Sequence, residues 1–87
     1  MRYFYVYVLK SLKDHKWYTG YTNDLKKRLR EHNNGKTSST RYRRPFKLIY
    51  FEGCLKEEDA KAREKYLKSG MGKRYIRNRL KRYFWED

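Results

Sequence analysis

The chain has 87 residues, with 24 Lys and Arg against 10 Asp and Glu, and a formal net charge of +14. That length fits one domain with a modest core, and the charge favours a polyanionic partner, nucleic acid before anionic membrane, because the cations run along the whole chain. No apolar run approaches the ~20 residues of a membrane span, the charged aromatic start is no signal peptide, and the single Cys54 rules out an internal disulfide. The expected location is therefore cytoplasmic.

Residues 3–10, YFYVYVLK, have the aromatic and β-branched composition of a strand. Tyr3, Tyr5, Tyr7 and Leu9 share one face, and Phe4, Val6 and Val8 the other. Both faces are apolar, which predicts a central strand covered on both sides. Ser11 to Lys16 is a polar turn, and residues 16–21, KWYTGY, return as a second strand.

The stretch YTGYTNDLKKRLREH, Tyr18 to His32, carries most of the signal. Gly20 predicts a turn. Thr22 or Asn23 caps a helix from about Asp24 to Asn33, with Asp24 in its first turn. Leu25, Leu29 and His32 fall on one stripe at i, i+4, i+7, with Arg28 on its edge. Asn34-Gly35 is the expected stop, Gly35 taking the left-handed conformation.

Residues 35–45, GKTSSTRYRRP, lack apolar periodicity and predict a mobile loop. Lys36, Arg41, Arg43 and Arg44 make it a candidate basic arm over a phosphate backbone. Residues 46–53, FKLIYFEG, form the third strand, with Pro45 before it. A helix follows from about Lys56, its first turn acidic, with Ala60, Leu67 and Met71 inward and a break at Gly70 and Gly72. Ile76, Leu80, Tyr83 and Phe84 define a third helix whose cations, Lys73 and Arg74 among them, lie mainly off the apolar stripe. The order ββ-α-β-α-α predicts a single α+β domain, residues 1–87, in which a small three-stranded antiparallel sheet is flanked by three helices. Cys54 is expected to be a small buried residue.

Glu64 falls inside the apolar stripe of its helix, where a carboxylate is costly without a cation. It is a structural ion pair, with Arg28 or another base, or a ligand for Mg²⁺, which binds through one carboxylate, waters and phosphate oxygens. No cluster of Asp, His or Cys suits zinc. Arg28 and His32 share a helix face at i, i+4. Tyr7 and Tyr18 lie on neighbouring strands, where most tyrosines pack the core. A tyrosine among several cations would have its pKa drawn down from ~10 and could act as a general base.

Tyr5-Val6-Tyr7 and Tyr18-Thr19-Gly20, followed in order by Arg28, His32 and Glu64, resemble the GIY-YIG endonuclease superfamily, most closely its short, stand-alone bacterial branch. The resemblance covers essentially the whole chain. It departs at Tyr5 and Thr19, which stand where the family has glycine and isoleucine, and these changes spare both tyrosines. It implies hydrolysis of phosphodiester bonds in DNA with one divalent metal, Mg²⁺ or Mn²⁺, and a role in structure- or damage-selective repair or processing. It implies Glu64 as the metal ligand, Arg28 as the cation on the scissile phosphate, Tyr7 or Tyr18 as the residue that activates or positions water, and His32 as support for the tyrosines. Asn78 is the one candidate for the family's late asparagine. A protein partner that supplies targeting is a further expectation. The alternative is a non-catalytic basic module that binds DNA or RNA.

Overall fold

The structure, a computed structural model, describes residues 2–86. Strand β1 (Phe4–Ser11) lies between β2 (Trp17–Thr22) and β3 (Phe46–Cys54), antiparallel to both. Helix α1 (Leu25–Asn33) follows the hairpin; α2 (Glu57–Lys68), α3 (Gly70–Arg79) and α4 (Lys81–Glu86) follow β3. The fold is α+β in the expected order, and the last predicted helix divides at Leu80 into α3 and α4.

Burial explains the central place of β1. Val6 and Val8 join Ala60, Leu67 and Ile76 in a core beneath α2 and α3, while Tyr7 and Leu9 join Phe46 on the opposite face, under α1. A one-residue shift opposite Val8 and Leu9 skips Ile49 in β3. This bulge lets the consecutive Ile49 and Tyr50 both pack against the Val6 and Val8 core.

Several local expectations are corrected. Asp24, not Thr22 or Asn23, caps α1; its carboxylate accepts from the Lys27 amide at 3.1 Å, and Thr22 Oγ1 accepts from the Asp24 amide. Gly35 does take the left-handed conformation, at φ 76°. Gly20 makes no turn but sits inside β2 opposite Tyr7.

Gly70 and Gly72 do not end α2. Ser69 does, in extended conformation, and its hydroxyl accepts from the Gly72 amide at 3.2 Å to start α3. Gly72 is buried where any Cβ would meet the backbone of Tyr66 and Leu67, so it sets the close approach of α3 to α2. The turn at Ser69 also swings Met71 out of the apolar stripe, to 66% exposure. Cys54 is half-buried rather than buried.

The segment 35–45 is anchored rather than loose. It contains a short 3₁₀ turn (Arg41–Arg43). The Ser11 hydroxyl donates to the Arg43 carbonyl at 2.6 Å, Arg43 pairs with Asp14 at 2.9 Å, and Thr40 is buried. The Asn33 amide group then exchanges two hydrogen bonds with the Phe46 backbone, fixing the end of α1 to the start of β3.

Candidate active site

The face of the sheet under α1 gathers four of the predicted residues. Tyr7 comes from β1, Tyr18 from the neighbouring strand, and Arg28 and His32 from successive turns of α1. The Tyr7 hydroxyl lies 3.0 Å from His32 Nε2 and accepts from Arg28 Nε at 3.4 Å. His32 Nδ1 lies 2.8 Å from Thr40 Oγ1, and the Thr40 hydroxyl reaches the Thr37 carbonyl at 3.5 Å.

One proton arrangement gives every polar atom of this chain a partner. Arg28 donates to Tyr7, Tyr7 to His32 Nε2, His32 Nδ1 to Thr40, and Thr40 to Thr37. It requires a neutral imidazole. Burial, followed by the positive charge of Arg28, pushes His32 down to about 4, so the ring is neutral at pH 7.

Tyr7 reverses an expectation. Burial raises its phenol above the ordinary value, and the hydrogen bond and charge of Arg28 pull the other way without prevailing. Tyr7 and His32 are buried, at 1% and 0% exposure, whereas Tyr18 is half-exposed. The Tyr18 ring stands edge-on to His32 at 4.8 Å and lies 6.4 Å from that of Tyr7. Gly20 makes the packing possible: a Cβ there would stand 2.6 Å from the Tyr7 hydroxyl.

Glu64 enters from α2. Its charge is near enough to oppose ionisation of Tyr7. It does not pair with Arg28, whose carboxylate partner is Glu31 at 3.2 Å. Its partner is Lys68, at 3.4 Å, one helical turn on and 57% exposed. An exposed i, i+4 pair contributes little to stability, so Lys68 is easily displaced by another cation. Among the described residues, no group of three His, Cys, Asp or Glu could hold a metal ion. A lone carboxylate suits Mg²⁺ or Mn²⁺ bound largely by water and phosphate oxygens, and does not suit zinc.

The predicted nucleic-acid contacts lie on two segments of the chain. Lys36, Arg41 and Arg44 are exposed in the segment between α1 and β3, and Arg44 Nε donates to the Arg41 carbonyl. Arg43 is held by Asp14 and the Trp17 carbonyl. Lys73 and Arg74 are exposed on α3. Asn78, also on α3, lines a groove with Tyr66, Met71, Arg74 and Tyr75, apart from the Tyr7 and His32 cluster.

A family model described as the GIY-YIG catalytic domain matches residues 3–81. The chain belongs to the GIY-YIG family. This is a nuclease family whose members generally use divalent metal ions, so the substrate class is nucleic acid. The chain is 51% identical over 65 residues to UPF0213 protein CPE1444 of Clostridium perfringens, across 74% of this chain and 69% of that protein. It is 46% identical to UPF0213 protein YazA of Bacillus subtilis, across 74% of this chain and 65% of that protein. The solution structure of UPF0213 protein BH0048 from Bacillus halodurans superposes with a TM-score of 0.51 at 38% identity, covering 87% of this chain and 82% of that one. No helix among the described residues is long and apolar enough to cross a membrane.

In this GIY-YIG chain the sequence reading missed three contributors. Glu31 was within reach, because i, i+3 spacing from Arg28 predicts the pair. Gly20 stood in the motif but was read for backbone freedom, not for the ring beside it. Thr40 lay in a Ser/Thr run with no periodicity to mark it.

Proposed function

We propose that this chain is a metal-dependent endonuclease that hydrolyses phosphodiester bonds in DNA, with Tyr18, Arg28 and Glu64 meeting the substrate. The observation that carries this reading is the layering of the cluster. Arg28, Tyr18 and Glu64 retain access to solvent, while Tyr7 and His32 are buried and tie Arg28 to the sheet. A guanidinium fixed in this way presents its remaining donors to a phosphate without first ordering a long side chain.

Tyr18 is the residue that positions and activates the attacking water. Its partial exposure supports this, as does Arg28, which is near enough to interact with its charge. Tyr7 and His32 act as positioning residues through Arg28. A divalent ion, Mg²⁺ or Mn²⁺, held by Glu64 with phosphate oxygens would neutralise charge on the phosphate. Structure- or damage-selective DNA substrates, a repair role and a partner that supplies targeting follow from the family reading; a cytoplasmic setting and a single domain over 1–87 are part of the same proposal.

The test is a cleavage panel of branched, flapped, nicked and single-stranded DNA, with matching RNA, in Mg²⁺, Mn²⁺ or EDTA. Metal-dependent cutting of at least one DNA form is expected. Binding without cutting in any metal would instead identify a non-catalytic nucleic-acid module.

A further inference from the structure

A second cationic feature lies behind the active-site face. A groove of about 390 Å³ is lined by His15, Lys16, Trp17, Arg43, Lys73 and Arg77. Its cations come from three separate places: the hairpin turn, the 3₁₀ turn and α3. No acid lines it. Asp14, nearby, is committed to Arg43, and that pairing lowers its carboxyl to about 2. Among the described residues, no carboxylate lies within ion-pair distance of Lys16, Lys73 or Arg77.

Converging like charges opposes folding, so stability does not explain the arrangement. The site is also built rather than loose. The Arg77 guanidinium lies 5.2 Å over the Trp17 ring, and Trp17 stacks on Phe84 at 5.4 Å. Trp17 and Tyr18 are consecutive in β2, so their side chains leave opposite faces of the sheet. Tyr18 points to the catalytic cluster and Trp17 to the groove. Arg43 joins the two sides, lying over Phe46 on one and donating to the Trp17 carbonyl on the other.

We infer that this groove is a second nucleic-acid site, which holds backbone phosphates of the substrate away from the bond being cut. The inference rests on the nucleic-acid reading above but not on catalysis. Lys16, Lys73 and Arg77 supply the charge, and Trp17 serves to hold Arg77 in place.

The test is metal-free binding of a labelled DNA single strand and its duplex, read by anisotropy over a salt series. The double variant Lys73→Gln/Arg77→Gln is compared with Lys61→Gln/Lys65→Gln, which removes the same charge from the exposed side of α2. The groove variant should bind about tenfold or more weakly at low salt. Its log–log salt slope should be shallower by ~1.4 to 1.8, the loss of two phosphate contacts. The charge-keeping variant Lys73→Arg/Arg77→Lys should restore most of the affinity. Loss on one probe alone assigns the groove to that form of DNA.

Equal effects of the two Gln pairs would overturn the inference, since the groove would then contribute only net charge. Lys16→Gln, in the exposed turn, repeats the test without touching α3. Because only binding is read, indifference to these changes rejects the groove and leaves the catalytic reading to the cleavage panel, whereas sensitivity in a protein that fails that panel keeps the groove and rejects the catalytic reading.

Discussion

His32 spends both ring nitrogens on hydroxyl groups in a buried site, and this sets how the protein responds to acid. Its folded value of about 4 lies below the ordinary histidine value of 6.5. Between those values the unfolded chain binds a proton that the folded chain does not, so stability rises with pH across that window. Chemical denaturation from pH 7 to pH 4 should show a loss on the order of 2 to 3 kcal/mol at most, and His32→Gln should flatten this part of the profile. The two tyrosines should also separate kinetically. Tyr18→Phe is expected to lower kcat by ~10² to 10⁴. Tyr7→Phe should cost less, weakening the rate through a less ordered Arg28. The reverse order of losses would transfer the water-activating role to Tyr7. Arg28 and His32 were legible as a pair because i, i+4 spacing on a helix leaves little choice of face. The direction of the Tyr7 shift was not, because cations are visible in a sequence whereas the depth of a ring beneath a helix is not.

At the scale of elements, the site depends on how closely β1 and β2 approach. Gly20→Ala would place a methyl against the Tyr7 hydroxyl. The change should cost about 1 to 3 kcal/mol from overpacking, offset in part by the ~0.4 to 1 kcal/mol gained by stiffening the unfolded chain. A lower urea midpoint together with reduced cleavage is the expected result; unchanged cleavage would show that Tyr7 can move without consequence. The strands and α1 could be read from the sequence because their periodicity is strong and their ends carry turn or cap residues. The boundary between α2 and α3 could not. Two glycines advertised a break, but the break is Ser69, and Gly72 serves the helix contact. The segment 35–45 was misread for a related reason. Its polar residues lack a pattern, yet Ser11, Asp14 and His32 each hold one of them.

At the scale of the molecule, a charge of +14 guarantees attraction to nucleic acid but does not by itself select a reaction. What distinguishes a nuclease from an adhesive domain is whether the acid on α2 works with the phenols and guanidinium on the other elements. The most direct measurement is single-turnover cleavage in Mg²⁺ by the wild type and by Glu64→Gln, with metal-free DNA binding measured on the same samples. Glu64→Gln should lose cleavage by ~10² or more, since it removes the carboxylate that holds the ion, while binding DNA as tightly as the wild type. Full cleavage by Glu64→Gln would contradict the account.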